Sequence, residues 1–355
     1  MENLEVNQNF WHGRSVLITG HTGFKGGWLA LWLSQLGAKV YGYSLEAPTI
    51  PSFFNTINLK DRIQNSTIGD IRDLAELINS MKAAKPSVIF HMAAQPLVRQ
   101  SYNNPIETFT TNIIGTVNVL EAARKIETVK VIVNITTDKC YENHELDLPY
   151  RETDRLGGYD PYSSSKACAE IVTAAYRNSF FKKNGIKLAS ARAGNVIGGG
   201  DWAADRLIPD FFRSINNNEI LHVRSPQAVR PWQHVLDPLS GYLILAEKLF
   251  IQDNNFAEAW NFGPDEYGSK TVSWVLERLS QKFINARWKI EKKNDQHEAS
   301  LLKLDITKAK SKLGWVPRWS LETAIDNTAE WYKAFKEHQP IVEFSIKQIE
   351  VYQNS

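Results

Sequence analysis

Six short, β-branched runs alternate with helix-length amphipathic segments over residues 1–195, and this alternation limits the fold more than any other feature of the chain. The runs lie at 15–19, 39–43, 66–70, 87–92, 130–135 and 187–191. Between them, helices are expected at 26–36, 73–84, 105–124 and 161–182. Strands separated by helices of this length predict an α/β fold, a Rossmann-type doubly wound parallel sheet. The apolar runs among them fit a sheet covered on both faces.

After residue 195 the rhythm changes. Gly198-Gly199-Gly200 and Pro209 break it, and scattered Trp, Pro and polar residues follow. A helix over 238–250 and an apolar run over 259–262 read as a return to the first lobe. The expected division is therefore a Rossmann domain over 1–195, rejoined by 231–263, and a smaller lobe made of 196–230 and 264–355. About the last dozen residues read as a frayed tail.

Hydrophobic residues make up 43% of the chain and charged residues 23%, enough apolar material for a large core. A net charge of +2 gives nucleic acid no global attraction, so no nucleic-acid partner is expected. The two cysteines, Cys140 and Cys168, have no metal-ligand spacing, and no metal site is expected; a reducing cytoplasm suits them. The chain shows neither a leader-like N-terminal stretch nor an apolar run of membrane-spanning length, so no membrane association is expected. The eleven tryptophans read as core packing.

The first run ends in Gly20-His21-Thr22-Gly23-Phe24-Lys25-Gly26, which opens the first helix. Glycines allow a sharp turn and close backbone approach, and the helix start offers unpaired N–H donors to a pyrophosphate. Gly20, Gly23, Phe24, Lys25 and Gly26 are thus candidates for holding a dinucleotide. The second run ends in Tyr43-Ser44-Leu45-Glu46, without an arginine to meet a 2′-phosphate. The choice between NAD and NADP stays open and leans to NAD, with Ser44 near the ribose. Asp70, followed by Ile71, ends the third run, where an acid can accept from the adenine amino group.

Tyr162 and Lys166 stand at i and i+4, so on a helix they share a face. A nearby ammonium and a bound pyridinium are expected to lower the phenol pKa, letting Tyr162 take a hydroxyl proton as hydride leaves the same carbon. The fifth run ends in Thr136-Thr137-Asp138-Lys139, at the sheet edge where open α/β folds place their chemistry. Thr137 suits a donor to the same oxygen, and Asp138 and Lys139 add an acid and a potential base. His21 and His91 read as structural, since no nucleophile or metal motif accompanies them.

Taken together, the glycine turn, His91-Met92-Ala93-Ala94-Gln95, Asn112 with Gly115-Thr116, Thr137-Asp138, Tyr162 with Lys166, and Arg230 resemble the extended short-chain dehydrogenase/reductase superfamily. The resemblance covers nearly the whole chain. Within that group it is closest to the CDP-glucose 4,6-dehydratases, through Gly20 to Gly26, Thr137-Asp138-Lys139-Cys140-Tyr141, Gly199-Gly200-Asp201-Trp202, Arg230-Pro231-Trp232-Gln233-His234 and Leu302-Lys303-Leu304-Asp305.

The resemblance implies bound NAD, contacts from Ala93, Ala94 and Thr111, and CDP-glucose as substrate. It implies oxidation at C4, loss of water across C5 and C6, and hydride return to C6. It implies Asp138 as the acid at the C6 hydroxyl, and Asn195, Arg206 and Arg230 at the substrate diphosphate. It also implies a homodimer built on the helices over 105–124 and 161–182. Lys139 departs from the glutamate found at this position in dTDP-glucose dehydratases. It is either a desolvated base for the C5 proton or a cation that steadies the enolate. Another nucleotide-glucose as substrate, or 4-epimerisation, is the alternative.

Overall fold

All six runs become strands of one sheet in the computed structural model, which describes residues 5–145, 147–252, 254–291 and 301–355. Residues 1–4 of the N-terminal stretch and 292–300 of the expected second lobe lie outside the described residues. The strands are β1 (Ser15–Thr19), β2 (Lys39–Ser44), β3 (Asn65–Ile68), β4 (Val88–His91), β5 (Val131–Ile135) and β6 (Lys187–Ala193). Every neighbouring pair is parallel; Leu17, for example, lies between Tyr41 and Ile89. A seventh strand, Ala259–Phe262, pairs in parallel with β6, so the run over 259–262 does rejoin the sheet.

The order runs from the seventh strand through β6, β5, β4, β1 and β2 to β3. The chain reverses its direction of travel between β1 and β4, which opens a crevice beyond the carboxyl ends of the strands. All residues of β4 and β5 are buried, as expected for strands covered on both faces.

Several boundaries differ from the expectation for identifiable reasons. The first helix is Phe24–Gln35, two residues earlier, because Gly23 already serves as its N-cap. The helix expected over 105–124 is Pro105–Phe109 and Gly115–Ala123 joined by a π-helical turn, Thr110–Ile114. The helix expected over 161–182 is Pro161–Tyr176 followed by a second such turn, Arg177–Phe181. A short helix, Val98–Asn103, was not expected. Helix Leu236–Ile251 packs against β5 and β6.

Beyond β6 the chain forms three two-stranded pairs. Val196–Ile197 pairs with Gln233–His234, Leu221–Val223 with Trp288–Ile290, and Val229–Pro231 with Ser269–Thr271. The expected frayed tail is wrong. Residues Ile341–Gln353 form a helix whose Tyr352 is 1% exposed. The Tyr352 ring meets Trp32 of the first helix edge-on at 5.7 Å. Its hydroxyl donates to Asp237 Oδ1 at 2.8 Å, in the body of the protein. Apolar residues spaced along this helix bury one side of it, and burial overrides a polar composition.

Candidate active site

A single cleft of about 1200 Å³ runs along the carboxyl ends of the strands. Every residue proposed from sequence lines it: Gly20, Gly23, Phe24, Lys25, Gly26, Ser44, Asp70, Ile71, Ala93, Ala94, Thr111, Thr137, Asp138, Lys139, Tyr162, Lys166, Asn195, Arg206 and Arg230.

The turn after β1 is built for a close-lying ligand. Gly20 has φ +82°, and a Cβ on it would come within 2.7 Å of the Ala93 amide nitrogen. A Cβ on Gly26 would lie 2.1 Å from the Gly20 carbonyl oxygen. No side chain caps helix Phe24–Gln35, so its first N–H groups and dipole end face the cleft. These features fit a dinucleotide pyrophosphate. Ser44 Oγ and Thr22 Oγ1 share a hydrogen bond of 2.8 Å, which joins the end of β2 to the turn. Asp70 faces the cleft, but Arg72 holds its carboxylate by two oxygens, at 2.5 and 3.0 Å. That pairing keeps Asp70 below the ordinary carboxylate range.

Both histidines are neutral struts, as their reading required. His91 Nδ1 meets Thr19 Oγ1 at 2.7 Å and its Nε2 meets Thr116 Oγ1 at 3.1 Å. Burial lowers His21 to about 4 and His91 to about 3.

Helix Pro161–Tyr176 starts at Asp160, whose side chain accepts from Ser163 N at 2.9 Å, with Pro161 at the first helical position. Asn112 ties this helix to the chain after β4: its amide donates to Ser165 Oγ at 2.9 Å and to the Gln95 carbonyl at 3.1 Å. Tyr162 and Lys166 are both buried and both reach the cleft.

Burial pushes the Tyr162 phenol up to about 12, while a hydrogen bond with Thr137 and the charge of Arg206 pull it down. Burial lowers Lys166 to about 8, and its strongest partner is Glu170, one further turn along the helix. The cation beside the phenol is Arg206, held by Asp201 Oδ2 at 2.9 Å. Arg206 lines the same cleft, and Asp201, five residues earlier, anchors it.

Asp138 is 1% exposed, and burial raises its pKa, with Lys139 and the Thr137 hydrogen bond acting against that. A Cβ on Gly194 would lie 1.9 Å from Asp138 Oδ2, so a glycine there makes room for the carboxyl. Lys25 donates to the Tyr242 hydroxyl at 3.0 Å, and burial lowers it to about 7. Asn195 has φ +38°, a left-handed conformation, and its carbonyl accepts from Gln233 N at 3.3 Å. Arg230 lies close enough for its charge to act on Asp138. Among the described residues no group of three or more potential ligands could hold a metal ion, and no helix is long and apolar enough to cross a membrane.

This arrangement places a phenol at Tyr162 and a buried carboxyl at Asp138 beside a dinucleotide cradle. Residues 17–328 match the family described as GDP-mannose 4,6 dehydratase. The chain is 50% identical to a CDP-glucose 4,6-dehydratase of Salmonella typhimurium, over 99% of both chains. Its fold is similar to that of an epimerase of Methanothermobacter thermautotrophicus, with a TM-score of 0.80 at 23% identity, covering 93% of this chain and 95% of that one. It is similar to that of a dTDP-glucose 4,6-dehydratase of Bacillus anthracis in complex with NAD, with a TM-score of 0.77 at 23% identity, covering 93% and 100%. The resemblance drawn from the glycine turn, Thr137-Asp138 and Tyr162 with Lys166 is thereby borne out: the chain belongs to the GDP-mannose 4,6-dehydratase family of the extended short-chain dehydrogenase/reductase superfamily.

Proposed function

We propose that the protein is an NAD-dependent lyase that converts CDP-glucose to CDP-4-keto-6-deoxyglucose. The observation that carries this reading is the convergence of Tyr162, Thr137 and Asp138 in one cleft with the uncapped start of helix Phe24–Gln35. The identity to the Salmonella enzyme supports the choice of nucleotide.

NAD, which Gly20, Gly23 and the start of helix Phe24–Gln35 would hold, would accept the C4 hydride and return it to C6. Tyr162 removes the C4 hydroxyl proton, with Thr137 and Arg206 favouring the phenolate. The C4 ketone then acidifies the C5 proton. Asp138, whose pKa burial raises, protonates the departing C6 hydroxyl. Lys139, half-buried at the same strand end, is the candidate base for the C5 proton. Asn195 and Arg230 hold the diphosphate.

The protein acts as a homodimer. Ile106, Phe109 and Ile114 on one helical segment, and Ile171 and Phe180 on the segment packed beside it, are exposed apolar side chains suited to a second copy. Both thiols are free, which suits the cytoplasm. The product class serves deoxysugar, O-antigen and lipopolysaccharide biosynthesis.

The test is incubation of purified protein with CDP-, dTDP-, UDP- and GDP-glucose, with and without added NAD. Loss of water from the CDP sugar, measured by mass, is expected. Epimerisation without mass loss, or dehydration of a different nucleotide sugar in preference, would overturn the assignment. For Lys139, substantial elimination by Lys139→Arg, whose side chain stays charged, would rule lysine out as the base.

A further inference from the structure

Tyr162, Lys166 and Glu170 recur at every fourth position of one helix, and all three are buried. Glu170 does not face the cleft. It faces the ends of the two strands beside the reacting groups. Its Oε1 accepts from Thr136 Oγ1 at 2.5 Å, and Thr136 immediately precedes Thr137 and Asp138. Its Oε2 accepts from Ser190 Oγ at 2.7 Å and from Arg192 Nη2 at 2.8 Å, both on β6.

Arg192 continues the chain of contacts. Its Nη1 donates to the Tyr141 hydroxyl at 2.8 Å and to the Glu152 carbonyl at 3.2 Å. The Tyr141 hydroxyl donates to Asn261 Oδ1 at 2.6 Å on the seventh strand. Asn261 in turn donates to the carbonyls of Tyr150 and Asp305 at 2.9 and 3.1 Å. One buried carboxylate therefore ties the Tyr162 helix to β5 and β6, and through Arg192 to the loop that follows Lys139.

We propose that Glu170 is a positioning residue for the dehydration: it fixes the distance between the Tyr162–Lys166 pair and the Thr137–Asp138 pair, and it places a carboxylate one helical turn from the Lys166 amine. This rests on the reading of Tyr162 and Asp138 given above. Stability alone is a weak account of the pair. A buried Arg–Glu bridge costs desolvation that hydrophobic replacements avoid, so it adds little net stability by itself. Position does account for it, because each Glu170 oxygen bonds a residue within two places of a reacting group or on the neighbouring strand.

The charge argument has the same geometry. The groups acting on Lys166 are Glu170, which favours the ammonium, and the Cys140 thiol. Lys25 from the first helix and His91 from β4 face it as well, and neither is an anion. Glu107 and Glu121, on helices packed beside Pro161–Tyr176, do not act on it, nor does Asp160 at the start of its own helix.

The experiment uses the full-length chain and two variants, Glu170→Gln and the pair Glu170→Gln with Arg192→Met. The pair removes both buried charges, so it stays folded if the single variant does not. Two arms are read. In the first, pH-dependent competitive acetylation followed by peptide mass analysis titrates Lys166 without any substrate. The midpoint is expected to move about one pH unit toward acid in Glu170→Gln and by less in the pair, which also loses the Arg192 cation. An unchanged midpoint in Glu170→Gln overturns the electrostatic half of the proposal.

The second arm is turnover with CDP-glucose. Expected is a fall in kcat of roughly tenfold to a hundredfold with KM within about threefold, persisting in the pair although its melting temperature recovers. Recovery of wild-type kcat along with melting temperature would make Glu170 merely structural and overturn the proposal. Failure of the wild-type chain to dehydrate any nucleotide sugar would instead sink the functional reading, and the acetylation arm would still judge Glu170.

Discussion

The Thr137 hydroxyl donates to Asp138 Oδ1 at 2.9 Å, and Asp138 Oδ2 is buried with no hydrogen-bond partner among the described residues. An unpartnered buried carboxylate oxygen is costly when charged and tolerable when protonated. That oxygen is thus the candidate proton carrier of the site. Asp138→Asn should lower dehydration by roughly 10²- to 10⁴-fold. C4 oxidation does not need this acid, so reduced nicotinamide absorbance should build up on mixing with CDP-glucose. Stopped-flow absorbance together with product mass checks both; full turnover by the variant would remove Asp138 from the mechanism.

Gly194 protects this arrangement. A methyl group there would lie 1.9 Å from Asp138 Oδ2, so Gly194→Ala must swing the carboxyl out of place. We expect a loss of dehydration of about a hundredfold, and destabilisation of about 1–3 kcal/mol from overpacking. Turnover and urea unfolding of the same preparation measure the two.

Asp237 makes stability depend on pH. It is fully buried, and burial raises it from its ordinary 3.8 to about 7. Because the folded value is the higher one, the stabilising contribution is complete below about 3.8 and disappears as pH rises through about 7. The span corresponds to at most about 4 kcal/mol. Melting temperature should therefore decline over this window, and Asp237→Asn should flatten the decline. A variant as pH-sensitive as the parent would contradict this.

The exposed isoleucines on the paired helical segments predict assembly. Ile114→Glu with Ile171→Glu should convert a dimer to a monomer, seen by light scattering coupled to size exclusion. An unchanged mass would move the dimer contact elsewhere.

Much of the sheet was legible because β1, β4 and β5 are continuous apolar runs, which have few alternatives to a covered parallel strand. The glycine turn was legible because Gly20 and Gly26 stand where only glycine fits. Two π-helical turns were not, since Thr110–Ile114 and Arg177–Phe181 continue the apolar rhythm of the helices around them. The last helix was missed because Tyr352 is held by Asp237, 115 residues away, and no local pattern encodes such a partner. Glu170 was missed although its spacing from Lys166 repeats that of Lys166 from Tyr162. The sequence shows that it shares their face; only the fold shows that Thr136, Ser190 and Arg192 meet it there.

The seventh strand comes from residues 259–262, and helix Leu236–Ile251, which covers β5 and β6, precedes it by only a few positions. A nascent chain emerging from the ribosome therefore cannot finish the central sheet with its first half. Until the later segment arrives, β6 keeps a bare edge and one apolar face stays wet. A fragment ending at residue 195 should accordingly aggregate rather than survive as a small dinucleotide-binding module, and attempts to graft that half alone into a chimera should carry the later segment along.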